Sequence, residues 1–200
     1  TRVVPSSIPV YWSQRPTDVS PDFVPAAYAD AKYLINLANL KSHNMAGVTL
    51  CGKNHYGSLI RTPSAKGYFN IHNSLPRNAP GPGRYRALVD MMGHEHIGGK
   101  TMLFLVDGLY PGVHPIEVSP RKWTNAPFNG NWAASLLASQ DPVAIDSVAH
   151  DFLYAEWLDY PRMSGADDYL HEAALAADPP SGTFYDPNHP ASTARIASLG

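Results

Sequence analysis

A continuous apolar run, Met102 to Val106, sharply limits the folds that this 200-residue chain can adopt. A strand with one face in water alternates apolar and polar residues, whereas an uninterrupted run bounded by glycines is typical of a strand covered on both faces. A second apolar run occupies residues 33–38, interrupted only by Asn36, and a third strand is predicted at residues 133–138. Such runs are typical of parallel sheets.

Helices are predicted between and after these strands. An amphipathic pattern predicts one at residues 84–92, and a short one is predicted at residues 169–177. A longer helix begins at Asp141-Pro142 and extends to about Trp157, because Asp is a favoured N-cap and Pro a favoured first helical residue. A further helix is predicted over residues 47–59 from steps of three and four between Val48, Cys51, His55 and Leu59.

The alternation of strands and helices predicts a single α/β domain over residues 1–200, with a mostly parallel sheet flanked by helices. Proline accounts for 19 of the 200 residues, roughly twice the average usage of about 5 %. Long Pro/Gly/Asn-rich loops are therefore expected, at residues 61–84 and 111–131. We interpret residues 1–31 as an irregular approach segment and residues 160–200 as a loop-rich tail.

Composition excludes several classes of partner. The formal net charge is −2 and no lysine/arginine stripe is present, so nucleic acid is not an expected partner. No run of about eighteen apolar residues exists, so no membrane span is expected. The single cysteine cannot form an internal disulfide and is compatible with both the cytosol and export.

Residues 39–58 gather two lysines, two histidines, three asparagines and the only cysteine. If a strand ends near residue 38 and a helix begins near residue 47, the intervening turn lies at a helix N-terminus, where free N–H groups attract anions. This predicts a pocket for a phosphate, a carboxylate or an anionic cofactor. The alternative is that these side chains are solvated and cap the turn. The candidate residues are Lys41, His43, Lys53, Asn54 and Tyr56.

The same segment suggests a divalent metal site. Cys51 and His55 are four residues apart, on one face of the predicted helix, and His43 lies just upstream. A lone helical cysteine is also a common small core residue. A second candidate is the pair His94 and His96, which would point to the same side in extended chain; the alternative is a surface loop.

Two carboxylates complete the predicted site. Asp107 follows the apolar run, and strand ends are where α/β proteins place catalytic acids and metal ligands, although Asp-Gly is also a common turn pair. Asp146 lies near the apolar side of its predicted helix, where it would pair with a lysine or bind the ligand. The predicted catalytic residues are Lys41, His43, Lys53 and Asp107, and the predicted ligand-binding residues are Asn54, Tyr56 and Asp146.

Three segments of the chain resemble a known family. They are NLANLKSHNMAGVTLCGKNHYGSL, MLFLVDGLY and NWAASLLASQDPVAIDSVAHDFL, which together span most of residues 33–153. They are similar to the prokaryotic domain-of-unknown-function family 362, most specifically in the Lys-x-His and Lys-Asn-x-x-Gly core and in the run from Ser139 to Asp146. The resemblance implies an α/β fold and names no reaction.

The resemblance also carries expectations about cofactors and location. Some members carry a ferredoxin-like iron–sulfur insertion, but one cysteine cannot hold such a cluster, so none is expected from this chain. Members are often exported and extend further at the N-terminus, and this chain begins at Thr1. We therefore expect a missing N-terminal portion and a periplasmic or extracellular location, with the cytoplasm as the alternative.

Two functional hypotheses follow. The first is an exported α/β protein that binds an anionic ligand or cofactor at the carboxyl edge of its sheet, with the help of a metal; whether it is an enzyme is left open. The second is a structural or assembly subunit of an extracellular oligomer or filament, without catalysis, which would associate as a homo-oligomer.

Overall fold

The computed structural model describes residues 3–13, 22–61, 81–114, 116 and 119–200. Within these residues the strands are β1 (Pro5–Val10), β2 (Asp22–Pro25), β3 (Leu34–His43), β4 (Gly47–Thr49), β5 (Ile60–Arg61), β6 (Thr101–Gly112) and β7 (Ser135–Ser139). The α-helices are α1 (Ala26–Asp30), α2 (Cys51–Asn54), α3 (Arg86–Gly93), α4 (Pro142–Glu156) and α5 (Asp168–Ala174). Two 3-10 turns, His55–Gly57 and Gly98–Lys100, follow α2 and precede β6.

The main sheet has the strand order β4-β3-β6-β7, and a small antiparallel sheet has the order β1-β2-β5. In the main sheet only β3 and β6 are parallel, because β4 and β7 run antiparallel to their neighbours. The α/β class is confirmed, but the prediction of a mostly parallel sheet is wrong. For β4 the reason is the length of the connection, because it follows β3 after a short turn, and such a turn can join only antiparallel strands.

The two faces of the main sheet differ in what covers them. Helices α2 and α4 pack on one side, called the covered face, which is formed by Asn36, Ala38, Leu40, Phe104, Val106 and Leu137. The other side, called the open face, is formed by Ile35, Leu37, Leu103, Leu105, Leu136 and Ala138. Ile35, Leu37 and Leu136 are 60 %, 54 % and 60 % exposed. The expectation that both faces are covered is therefore wrong for the described chain.

Helix α4 begins as the sequence predicts. The Asp141 side chain accepts hydrogen bonds from the N–H groups of Val143 and Ala144, at 2.8 and 2.9 Å, and Pro142 is the first helical residue. Its buried side turns Ile145, Ala149 and Leu153 into the core. These contacts hold α4 against the sheet and fix the position of Asp146, which lies on the same side.

The predicted helix over residues 47–59 is wrong. This segment instead forms β4, the four-residue α2 and a 3-10 turn. Gly47 has a φ of +77° and lies so close to Arg162 O that a Cβ atom would collide with it, so the chain turns here into a hairpin strand. Val48 and Thr49, which are β-branched, then pair with β3.

Other predicted elements differ mainly in their bounds. The predicted strands at 33–38, 102–106 and 133–138 are confirmed as β3, β6 and β7, and the helices at 84–92 and 169–177 are confirmed as α3 and α5. The interpretation of residues 1–31 as irregular is wrong for its described part, because β1, β2 and α1 lie there. Most of the predicted loop 61–84 lies outside the described residues.

Candidate functional site

Lys41 of β3 and Lys53 of α2 are near enough for their charges to interact. Lys41 continues the alternation of Ile35 and Leu37 along β3 and so points towards the open face, and Lys53 comes from α2. The Nζ atom of Lys53 lies 5.8 Å from the centroid of the Tyr56 ring. Burial, and then the positive charge of Lys41, lowers the pKa of Lys53 to about 8. Among the described residues, neither lysine forms an ion pair with a carboxylate.

A buried amide clasp holds α2 on β3. Asn36 donates from Nδ2 to Cys51 O at 2.9 Å, and Asn54 donates from Nδ2 to Asn36 Oδ1 and Leu37 O, each at 2.9 Å. The side-chain nitrogen of Asn54, a predicted ligand-binding residue, is therefore engaged within the fold. Because Asn54 and Lys53 are adjacent, the clasp also sets where the Lys53 side chain begins.

The N-terminus of α2 already has an anion, the carboxylate of Asp146. Its Oδ1 accepts the Cys51 N–H at 2.8 Å, and its Oδ2 accepts the Gly52 N–H at 2.7 Å and the Tyr169 hydroxyl at 2.9 Å. Asp146 is fully buried, and this burial raises its pKa to about 6 although the hydrogen bonds oppose the shift. The structure thus gives Asp146 structural partners where we expected a ligand, and α2 offers no free N-terminal N–H pair for an external anion.

The predicted metal ligands near α2 have other partners. Cys51 begins α2 and donates from Sγ to Leu105 O at 3.4 Å, and burial raises the pKa of its thiol. The Nδ1 of His55, in the 3-10 turn, lies 3.2 Å from the Tyr28 hydroxyl, and burial lowers the pKa of His55. The Nδ1 of His43 accepts the Met45 N–H at 3.0 Å.

His94 and His96 are not presented to one common ligand. The Nδ1 of His94 accepts the His96 N–H at 3.1 Å, and the Nε2 lies 3.2 Å from Pro9 O. Burial lowers the pKa of His94 to about 4, so it is neutral at physiological pH. In the part of the chain that the structure describes, no three His, Cys, Asp or Glu side chains are grouped as a metal site requires.

Asp107 lies on the open face rather than at a strand end. It stands opposite Asn39 of β3 and Leu136 of β7, and β6 continues beyond it to Gly112. Its Oδ1 accepts the Leu109 N–H at 2.9 Å. Lys41 and Asp107 therefore share the open face, whereas Asp146 lies beneath the covered face. We expected one pocket to contain all these cations and carboxylates, but the sheet separates Lys41 and Asp107 from Asp146.

Sequence reasoning missed two features of this region. Tyr169, from the tail, completes the set of donors to Asp146, and nothing in the local pattern around residue 169 indicates that contact. Tyr56 is buried, and its ring lies 6.4 Å from the Trp12 ring, although Trp12 belongs to the segment that we interpreted as irregular.

Two clefts lie away from the lysines. One, of about 540 Å³, is lined by residues that include Glu156, Trp157 and Tyr160. The other, of about 200 Å³, lies between α4 and α5 and includes His150 and His171. None of the helices in the described ranges is both long and apolar enough to span a membrane.

Comparison with known proteins gives one match. Residues 9–151 match the family described as a domain of unknown function (DUF362), and they include β3, α2, β6, β7 and Asp146. No curated protein and no solved structure matches the chain.

Proposed function

The chain belongs to the DUF362 family, and we propose that its domain binds a small anionic ligand through Lys41 and Lys53, beside β3 and at the rim of the open face. The observation that carries this proposal is the lysine pair itself. Two ammonium groups near enough for one to depress the pKa of the other repel each other, and no described carboxylate offsets that repulsion. A bound anion would offset it.

The chemistry of the pair favours a compact anion such as a phosphate or carboxylate. Lysine acts as a point charge with three rotatable donors, so two lysines suit an anion with several oxygens better than a planar group that needs a bidentate partner. The Tyr56 ring near the Lys53 ammonium leaves that ammonium partly desolvated, which strengthens its attraction for an anion.

Asp107 gives the proposed site a second kind of group. It lies on the strand next to Lys41 and on the same face of the sheet. A carboxylate in this position is available for proton transfer to or from a ligand held by the lysines. We propose this role for Asp107 only once a ligand is bound, and the binding proposal stands without it.

The experiment is a titration of the protein with inorganic phosphate at pH 7, followed by calorimetry. We expect Lys53→Met and Lys41→Met each to weaken binding about tenfold or more, because each removes one charge-assisted contact worth about 1.5–3 kcal/mol.

The matched control is Lys32→Met, since Lys32 Nζ also lies over a tyrosine ring, 5.2 Å from the Tyr33 centroid. This variant should bind phosphate as the parent does. Equal affinity in all four proteins, or no binding by the parent, contradicts the proposal.

The open face favours a second candidate function, a subunit that assembles with copies of itself. Exposed leucine and isoleucine side chains on a sheet are costly in water, and an assembly would cover them. This candidate and the anion site occupy neighbouring parts of the molecule and do not exclude each other.

A further inference from the structure

The side chains of the open face form ordered rows across three strands. The register places Leu37, Leu105 and Ala138 side by side, and Ile35 beside Leu103 in the next row. On the other side of the Leu37 row, Asn39, Asp107 and Leu136 form a third row. The face is therefore apolar along most of its length, and its polar residues Asn39, Lys41 and Asp107 lie towards the carboxyl ends of β3 and β6.

Strands that read as continuous apolar runs, as β6 does from Met102 to Val106, are typical of sheets covered on both faces. Here helices α2 and α4 cover one face, and Ile35 and Leu37 on the other are more than half exposed. The edge strand β7, Ser-Leu-Leu-Ala-Ser, also lacks the charges and prolines with which proteins protect exposed edges. Both features are typical of a surface that is covered by a partner.

The charges on the open face indicate which partner fits. Lys41 lies on β3 and Asp107 lies on β6, so neighbouring strands carry opposite charges at the same end of the face. If a second, identical face is placed on this one by a two-fold axis that runs along the strands between β3 and β6, each β3 lies over the β6 of the other copy.

In this arrangement the two apolar patches coincide and the charges match. Leu37 lies over Leu105 of the second copy, and the long Lys41 side chain extends across the roughly 10 Å between the sheets towards Asp107 of the second copy, twice by symmetry. Sheets packed face to face keep their strands within about 30° of each other, which this axis allows. The same face of a second copy therefore offers an opposite charge to both Lys41 and Asp107.

We propose that the open face of the main sheet is covered by the same face of a second copy of this chain, in a two-fold dimer in which Lys41 of each copy pairs with Asp107 of the other. The proposal rests on the second candidate function given above and deepens it, because it names the paired residues and the symmetry of the assembly. It would hold even if the protein bound no anion.

Sedimentation of the 200-residue chain over a range of concentrations tests the proposal. We expect a monomer–dimer equilibrium in the parent and self-association at least about tenfold weaker in Leu37→Lys, since this variant places an uncompensated charge in the centre of the interface. The change is at an exposed position, so the monomer should stay folded, which circular dichroism checks.

The control is Val148→Lys, on the solvent side of α4, because Val148 is 49 % exposed and lies on the opposite side of the sheet layer. It should dimerise like the parent. A parent that stays monomeric at its highest soluble concentration, or a control that loses as much association as Leu37→Lys, would overturn the proposal.

A charge exchange tests the pairing itself. Lys41→Asp and Asp107→Lys each place like charges opposite one another in the dimer, so each variant alone should associate about tenfold or more weakly than the parent. Mixed together, the two variants restore both cross-pairs, and a heterodimer should form. A mixture that associates no better than the separate variants would show that these residues do not meet across an interface.

Discussion

The covered and open faces of the main sheet belong to the same strands, but they differ in the partners of their polar groups and in the exposure of their apolar groups. On the covered side Asn36 and Asp146 are saturated with hydrogen bonds within the chain. On the open side Ile35 and Leu37 are exposed, and Lys41 forms no ion pair with a described carboxylate. Groups whose partners are all within the chain therefore serve the fold, and the exposed apolar and charged groups mark where a ligand or a partner is to be sought.

The largest difference is expected when one carboxylate is removed from each face. Asp146→Ala leaves two buried N–H groups and a buried hydroxyl without a partner, so we expect a loss of about 3–5 kcal/mol in the free energy of unfolding. Asp107→Ala removes one hydrogen bond at a half-buried position and should cost less than about 1 kcal/mol. Urea denaturation measures both, and equal losses would contradict the assignment of Asp146 to the fold and Asp107 to the surface.

Truncation of one leucine on each face compares how much their packing contributes to stability. Leu40 is 2 % exposed on the covered face, so Leu40→Ala should destabilise the protein by about 3 kcal/mol through lost burial and a cavity. Leu37→Ala, three residues away on the open face, should stay within about 0.5 kcal/mol when measured at a concentration at which the chain is monomeric. A large loss for Leu37→Ala would show that the open face is packed within the monomer.

Lys53 makes the stability of the protein depend on pH. In the free protein the pKa of Lys53 is lowered from 10.5 to about 8, so between these values the unfolded chain holds a proton that the folded chain has released. Stability therefore rises with pH across this window through Lys53, and Lys53→Met should remove that part of the slope.

A bound phosphate reverses the shift, because a nearby negative charge favours the ammonium form. We expect phosphate affinity to fall by up to about tenfold per pH unit above pH 8, with uptake of about one proton per phosphate at pH 9. Calorimetry in buffers of different ionisation enthalpy measures this uptake. Binding without proton uptake would mean that the phosphate sits elsewhere than at Lys53.

The smallest expected effect links the two proposals. Both the anion and the second copy use Lys41, so saturating phosphate should weaken the dimer by a few-fold, and by reciprocity the dimer should bind phosphate more weakly. Sedimentation with phosphate, and with chloride at equal ionic strength as the control, measures the shift. A dimer strengthened by phosphate would contradict the shared use of Lys41, while leaving each site to be judged by its own variants.

Local sequence patterns predict the framework of this protein well. The apolar runs in β3 and β6 and the Asp141-Pro142 start of α4 depend on neighbouring residues, and the structure confirms each. The prediction of a helix over residues 47–59 was wrong because distant contacts impose the conformation of this segment, in particular those of Gly47 with Arg162 and of Cys51 with Asp146.

The candidate site was harder to predict than the framework. A polar residue on the apolar side of α4 marks Asp146 as unusual, but only the folded chain reveals that its partners are backbone N–H groups. Likewise, the run Met102–Val106 has the same composition whether its second face is covered by this chain or by another copy. Alternate residues of β6 differ in burial only because the assembled sheet has one covered and one open face.

The bond between Asp146 and α2 has a consequence for the order in which the protein folds. The carboxylate and the Cys51 N–H that it binds are 95 residues apart in sequence, and a helix of four residues is too short to persist alone. We therefore expect α2 to become helical only after α4 has docked on the sheet. Lys53 would then reach Lys41 late in folding, so a nascent or partly folded chain would not yet attract the anion.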